Sequence, residues 1–165
     1  MNYLSLKQIE KYHKDGFLIV RNVFTRKECN ELKEVLIEEI NKGKNILKKS
    51  LDAPEEKINK NKIADIPRGV NEGYLQDIAH RSPKFMSLAK DSRLTNIIGQ
   101  IFGNNSKAYY LYRSTSIFKN SDISSKTFWH QDMTYWKGKS NKLTVWISLN
   151  KANKQNGSPR YIPGS

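Results

Sequence analysis

The sequence is poor in cysteine, in histidine and in long apolar runs, and these scarcities exclude several classes of protein. The single cysteine, Cys29, excludes an internal disulfide framework and a zinc cluster built from several cysteines. The longest apolar run near the N-terminus, FLIV, is far too short to span a bilayer, and the charged N-terminal residues carry no signal peptide. We therefore expect a soluble, cytoplasmic protein without a membrane span.

Positive charge is what the chain has in excess. Lys and Arg number 29 against 16 Asp and Glu, which gives a formal net charge of +13. Such a charge attracts nucleic acid, an anionic membrane or a small anionic ligand. The lysines are spread along the chain, however, and are locally dense only in residues 42–62, where acidic residues accompany them. A lysine-rich solubilising surface is therefore favoured over a nucleic-acid-binding face.

At 165 residues, the chain is long enough for a single domain with its own core and too short for two domains of ordinary size. Four segments combine helical periodicity with a helix-start or helix-stop signal, at residues 5–16, 25–43, 82–88 and 94–102. The first two begin with capping-box pairs, Ser5 with Gln8 and Thr25 with Glu28, and an apolar stripe runs along the second from Cys29 to Ile40. Pro83 stands at the first helical position of the third. Four others are rich in β-branched and aromatic residues and predict strands, at residues 17–23, 108–119, 127–133 and 143–149. Residues 44–73 show no sustained period and predict a long flexible loop or flap.

The order of these segments predicts an α+β protein. Residues 1–103 form a mainly helical N-terminal part that includes the 44–73 loop, and residues 104–165 supply strands of a sandwich or barrel. We take the whole chain, residues 1–165, as one domain.

One short stretch, FWHQDMTYW at residues 128–136, has the pattern of a metal site. On a strand, His130 and Asp132 would project from the same face, with backbones roughly 6.6 Å apart, while Gln131 points elsewhere. An imidazole and a carboxylate suit ferrous iron when a second histidine completes the set. Zinc in a hydrolytic site would accept the same ligands, so the residues alone leave the metal open.

Three stretches together resemble one family: LSLKQIEKYHKDGFLIVRNVFTRKEC, WHQDMTYW and LTVWISLNKANKQNGSPRYIPGS. They look like the phytanoyl-CoA dioxygenase family of iron(II)- and 2-oxoglutarate-dependent oxygenases. The resemblance implies a double-stranded β-helix, or jelly-roll, core preceded by helices. It also implies that Fe(II), 2-oxoglutarate and dioxygen are used to hydroxylate a C–H bond of a small organic or lipid-like substrate, with decarboxylation of 2-oxoglutarate to succinate.

Carried over by position, His130 and Asp132 match the family's proximal metal ligands and catalytic pair. The presence of Asp132 points to hydroxylation rather than halogenation, since halide-transferring relatives carry a small residue there. Five further residues are candidates for the cofactor pocket: Gln131, Trp146, Arg113, Ser116 and Thr134. The first two match pocket residues of the family, whereas the other three only lie beside its motifs.

The family's distal His ligand and the Arg that pairs with 2-oxoglutarate lie beyond the PGS motif, and this sequence ends at Ser165. The remaining histidines, His13 and His80, fall on the predicted helical scaffold. We therefore expect a truncated form of an oxygenase. Two alternatives stay open: a non-catalytic small-molecule-binding barrel, and a basic nucleic-acid-binding domain.

Overall fold

The computed structural model describes residues 3–51, 73–103, 109–119, 127–134 and 142–165. Within these residues the protein is mixed α+β, with five helices, one short antiparallel sheet and one 3-10 helix. In chain order they are α1 (Leu6–Asp15), α2 (Arg26–Leu51), β1 (Tyr74–Gln76), α3 (Ile78–Arg81), α4 (Pro83–Ala89), α5 (Ser92–Ile101), β2 (Thr115–Ile117) and the 3-10 helix Asp132–Thr134.

The helix starts follow from signals a few residues long. The Ser5 hydroxyl accepts a hydrogen bond from the Gln8 amide, while the Gln8 side chain accepts one from the Ser5 amide, so the predicted capping box of α1 is confirmed. Thr25 and Glu28 form the same reciprocal pair at the start of α2. Gly16 ends α1 with φ 81°, a left-handed conformation that glycine adopts without strain.

A first hydrophobic core lies under α2. Its buried side chains come from the apolar stripe of α2, from the first strand and from the two short helices that follow, and they are Leu32, Leu36, Ile40, Leu75, Ile78, Ala79 and Phe85. Leu75 is fully buried, with 0% of its surface exposed. The stripe predicted for α2 is therefore confirmed as its packing face.

A second core joins the N-terminus to α5. Leu4, Ile97 and Ile101 are buried together, and Leu18 and Val20 pack against them. The Gln100 side chain ties the two parts further, because its carbonyl oxygen accepts hydrogen bonds from the amides of residues 3 and 4 at 2.9 and 3.0 Å. The N-terminal residues and α5 are therefore held together by both apolar packing and the hydrogen bonds of the Gln100 side chain.

Arg93 connects α5 to the start of α2. Its guanidinium donates to Glu28 at 2.7 Å, to Asp91 at 2.7 Å and to the Val23 carbonyl at 3.1 Å. It also lies 4.4 Å from the centroid of the Phe24 ring. One side chain thus fixes the segment between α1 and α2 against the first turn of α5.

The sheet consists of two strands, one of which the sequence reading missed. β1 pairs antiparallel with β2, and the register places Tyr74 opposite Ile117, Leu75 opposite Ser116 and Gln76 opposite Thr115. Of the described residues 109–119 of the predicted strand, only Thr115–Ile117 form strand structure. β1 begins directly after the predicted loop 44–73, and a three-residue strand leaves too little periodicity to detect.

The other strand predictions are wrong for the described residues. Residues 17–23 form no strand, since Leu18, Val20 and Val23 pack on the second core instead of joining a sheet. Residues 127–131 and 142–149 likewise lack strand hydrogen bonding, and Asp132 starts a 3-10 helix. A β-branched composition makes a strand only when a neighbouring backbone is available to pair with it, and the described residues provide one only for β2.

Two further boundaries differ from the sequence reading. α2 continues past Gly43 to Leu51, so residues 44–51 of the predicted loop are helical, while residues 52–72 lie outside the described part of the chain. The predicted helices at 82–88 and 94–102 are confirmed as α4 and α5, with Pro83 in the first turn of α4 as expected.

Within the described residues, no helix is both long and apolar enough to cross a membrane.

Candidate functional site

The predicted metal pair lies on a surface segment rather than on a strand. His130 precedes the 3-10 helix, and Asp132 is its first residue. The distance from His130 Nε2 to Asp132 Oδ1 is 3.4 Å, and the two side chains are 34% and 44% exposed. The irregular backbone that leads into the 3-10 helix, not the pleat of a strand, therefore brings the two groups together.

Hydrogen bonds hold each member of this pair in orientation. His130 Nδ1 lies 2.7 Å from the Phe128 carbonyl oxygen, so the ring donates there through Nδ1–H and presents Nε2 to Asp132. The Thr144 hydroxyl donates to Asp132 Oδ2 at 3.0 Å, which leaves Oδ1 facing the imidazole. In metal sites generally, groups that do not touch the metal hold its ligands in orientation through hydrogen bonds of this kind.

The donor set and its spacing fit a divalent metal ion. With metal–ligand distances of about 2.1 Å, a separation of 3.4 Å corresponds to an angle at the metal of about 110°. This angle is close to the tetrahedral value and about 20° wider than the octahedral right angle, so the spacing suits zinc directly and ferrous iron in a distorted octahedron. Protonation of the imidazole would make the same contact an ion pair.

No third protein ligand joins the pair among the described residues, which contain no group of three His, Cys, Asp or Glu side chains able to hold a metal ion. His13 is exposed on α1, where its ring meets Tyr12 edge to face at 5.4 Å. His80 is exposed on α3. Both therefore belong to the helical scaffold, as the sequence predicted.

The five candidate residues of the cofactor pocket lie in two different parts of the structure. Gln131 and Thr134 are exposed beside the metal pair, and the Thr134 amide donates to the Gln131 carbonyl at 3.1 Å. Trp146 is 53% exposed and lies two residues beyond Thr144, which contacts Asp132. The structure thus brings the segment of Trp146 to the metal pair, while the role of these three side chains in binding a cofactor stays a prediction.

Arg113 lies just before β2, and Ser116 lies on it. The described contacts of His130 and Asp132 include neither residue. Arg113 is exposed, and Ser116 pairs with Leu75 across the sheet. The Ser116 hydroxyl is buried without a hydrogen-bond partner among the described residues. Their assignment to the cofactor pocket therefore stays a prediction.

Three residues at the site were missed by the sequence reading: Thr144, Arg160 and Tyr161. The Arg160 guanidinium lies 5.3 Å from the centroid of the Trp129 ring, next to His130. Thr144 could have been found, because Thr144 and Trp146 would share one face of the strand that the sequence predicted. Arg160 carried no such signal, since its aromatic partner is distant in sequence.

Tyr161 also lies within electrostatic reach of the pair. Burial, and after it the negative charge of Asp132, raises the pKa of the Tyr161 phenol. The same ring stacks on Phe17 with a centroid distance of 5.1 Å and an interplanar angle of 18°. Tyr161 is therefore linked to Phe17 by ring stacking and to Asp132 by a weaker electrostatic effect.

A mixed α+β chain with an oriented His and Asp pair defines a candidate mononuclear metal protein, and comparison with known proteins gives the family. The profile described as "Phytanoyl-CoA dioxygenase (PhyH)" matches residues 12–165. The chain therefore belongs to the phytanoyl-CoA dioxygenase family, and the resemblance inferred from its motifs is confirmed.

Individual relatives are similar only at a moderate level. An ectoine dioxygenase from Bordetella bronchiseptica is 25% identical over 167 residues, covering 98% of this chain and 49% of the relative. A phytanoyl-CoA dioxygenase domain-containing protein 1 homolog from Dictyostelium discoideum is 26% identical, covering 98% of the chain and 65% of the relative. A probable phytanoyl-CoA dioxygenase from Caenorhabditis elegans is 23% identical, with 98% and 53% covered.

The chain thus spans about half to two thirds of the length of these relatives. No solved structure matches it at a significant level.

Proposed function

We propose that the protein is an iron(II)- and 2-oxoglutarate-dependent dioxygenase that hydroxylates a C–H bond of a small organic or lipid-like substrate, with His130 and Asp132 as two of its iron ligands. The observation that carries this proposal is the 3.4 Å separation of His130 Nε2 and Asp132 Oδ1, each group oriented by its own hydrogen bond. Family membership supports the reaction class. The relatives' names mention both ectoine and phytanoyl-CoA, so the substrate is proposed only as a class.

Each residue of the site has a defined task in this proposal. The imidazole of His130 binds the metal through Nε2, because Nδ1 is engaged by the Phe128 carbonyl. The Asp132 carboxylate binds through Oδ1, since Thr144 donates to its other oxygen. When bound, the iron couples oxidation of the substrate C–H bond by dioxygen to the decarboxylation of 2-oxoglutarate, giving an alcohol, succinate and carbon dioxide.

The surroundings of the His130–Asp132 pair complete the proposed site. The third ligand and the group that pairs with the 2-oxoglutarate carboxylate come from outside the described residues. Gln131 and Trp146 border the cosubstrate, and the chain forms one domain with a jelly-roll core to which β2 contributes a strand. The net charge of +13 favours approach of an anionic cosubstrate such as 2-oxoglutarate.

The decisive experiment measures metal affinity and turnover in the full-length product of the gene that encodes this sequence. Under anaerobic conditions, Fe(II) or Co(II) is titrated into the wild type and into His130→Ala and Asp132→Ala, and succinate formation is then measured with added oxygen. We expect both variants to bind the metal more than about 100-fold more weakly, since loss of a ligand exceeds the 10- to 100-fold effect of outer partners. Succinate formation should be lost in both.

His13→Ala is the matched control, because it removes an exposed imidazole from α1 and should leave metal affinity unchanged. Equal metal affinity in His130→Ala, Asp132→Ala and the wild type would contradict the proposal. Ligand binding that is indifferent to chelators would instead support the non-catalytic barrel.

A further inference from the structure

Residues 160–164, which we call the strap, contact both Trp129, the residue before His130, and the end of the N-terminal helix α1. At one end, the Arg160 guanidinium lies 5.3 Å from the Trp129 ring centroid. At the other end, the Gly164 amide donates to the Asp15 carbonyl, the last residue of α1, at 2.9 Å. The strap therefore spans from the scaffold to the residue that directly precedes His130.

The middle of the strap adds a second anchor. Tyr161 stacks on Phe17, just after α1, with a centroid distance of 5.1 Å. Tyr161 thus joins the strap to the helical scaffold, while its neighbour Arg160 joins the strap to Trp129.

Residues 127–131, the segment that carries His130, are irregular and partly open to solvent. Residues 127–131 form no strand, and Phe128 and Trp129 are 85% and 62% exposed. The His130 ring is oriented by the carbonyl of Phe128, so its position depends on the backbone of residues 128–130. A contact that holds the Trp129 ring therefore also restrains the carbonyl that orients His130.

We propose that the strap positions the His130–Asp132 pair for metal binding, with Arg160 acting as a positioning residue through its cation–π contact with Trp129. This inference rests on the proposed function, because it assumes that the pair binds a metal. Arg160 does not touch the metal or the substrate. Its contribution is to reduce the number of conformations that residues 128–130 sample before the metal binds.

The test is a double-mutant cycle on Fe(II) or Co(II) affinity in the full-length protein, with Arg160→Met, Trp129→Ala and the double variant. An exposed cation–π contact predicts metal binding about three- to fivefold weaker in each single variant. The double variant should be no weaker than the weaker single variant, since both remove the same contact. Arg160→Lys retains a cation and should recover most of the affinity. Arg21→Met, the same change at an exposed arginine before α2, should have no effect.

A second measurement separates this inference from the proposed function. Hydrogen–deuterium exchange of the peptide covering residues 127–134 is followed in metal-free protein, where Arg160→Met should speed exchange and Arg21→Met should not. Exchange and metal affinity that are both unchanged in Arg160→Met would overturn the inference. A wild-type protein that binds no metal would refute the proposed function, and the exchange of residues 127–134 alone would then decide whether the strap restrains this segment.

Discussion

At the scale of single residues, the two oxygens of Asp132 have separate partners. Oδ1 faces His130 Nε2 at 3.4 Å, and Oδ2 accepts a hydrogen bond from the Thr144 hydroxyl at 3.0 Å. Thr144 therefore decides which oxygen is presented to a metal. In the proposed site, Thr144 therefore acts on metal binding indirectly, by orienting the ligand Asp132.

Replacement of Thr144 by Val should weaken Fe(II) or Co(II) binding about tenfold, because Asp132 loses the hydrogen bond that holds its carboxylate. Thr144→Ser keeps the hydroxyl and should bind the metal nearly as the wild type does. Thr115→Val, at an exposed position on β2, is the matched control for the change of side chain. The affinities are measured by anaerobic calorimetric titration. Equal affinity in Thr144→Val and the wild type would remove Thr144 from the site.

Glu28 is the residue whose charge state links stability to pH. Hydrogen bonds, first from the Arg93 side chain and then from the backbone and hydroxyl of Thr25, lower the pKa of Glu28 to about 2 from an ordinary value of 4.5. Because the pKa is lower in the folded state, the stabilisation is complete above about pH 4.5. It is lost as the pH falls toward 2.

The free energy of unfolding of Glu28→Gln should therefore lie below that of the wild type at pH 7, and the two should converge between pH 4.5 and 2. Urea unfolding at a series of pH values, followed by circular dichroism, measures this difference. Glu34→Gln, the same change at an exposed glutamate on the same helix, is the matched control for the change of side chain. A gap between Glu28→Gln and the wild type that stayed constant down to pH 2 would show that the Glu28 charge contributes nothing.

At the scale of elements, the short strand β1 matters more than its length suggests. Its central residue, Leu75, is the most completely buried side chain described, and it packs with α2, α3 and α4 in the first core. The other two residues of the strand are only partly buried. β1 therefore links β2 to the helices through Leu75, beside the hydrogen bonds that the amides of Ile78 and Ala79 donate to Ser114.

Leu75→Ala should lower the free energy of unfolding by about 2–5 kcal/mol, the cost of the lost burial and of the cavity left behind. Leu6→Ala makes the same change at a position that is 80% exposed, and it should cost no more than about 0.5 kcal/mol. Both are measured by urea unfolding monitored by circular dichroism. A small loss for Leu75→Ala would mean that β1 is not part of the cooperative core.

At the scale of the whole molecule, exposed apolar surface and net charge have opposite effects on self-association. Most of the large exposed hydrophobic side chains belong to residues 109–162, among them Tyr110, Phe128 and Trp146 at 91%, 85% and 53% exposure. Exposed apolar surface favours association, whereas a net charge of +13 opposes it by repulsion. Salt screens the repulsion and leaves the apolar attraction in place.

The 165-residue chain should therefore associate more strongly as ionic strength rises from about 0.02 to about 0.5 M, which sedimentation velocity would show as a rising weight-average sedimentation coefficient. Phe128→Ser should reduce this association, and Ile19→Ser, which changes a 66% exposed residue in the helical half, should reduce it less. A nucleic-acid complex of a basic domain would respond in the opposite way and dissociate with salt. A chain that stayed monomeric at every salt concentration would refute the prediction.

The sequence by itself determined the features that depend on near neighbours. The starts of α1 and α2 follow from Ser5 with Gln8 and from Thr25 with Glu28, since a capping box closes within four residues. The family, and the choice of His130 and Asp132 as metal ligands, likewise came from short motifs in a fixed order. The role of these two residues as ligands stays a prediction for metal titration to test.

Only the tertiary structure decided what depends on partners distant in sequence. The predicted strand at residues 17–23 packs against α5 instead of joining a sheet, and residues 108–119 form a strand only where β1 lies alongside. The contacts of Thr144 with Asp132 and of Arg160 with Trp129 likewise join segments that no local pattern links. The physical reason is that strand pairing and side-chain contacts between segments require a second piece of chain in the right place, and its position is set by the packing of the whole protein.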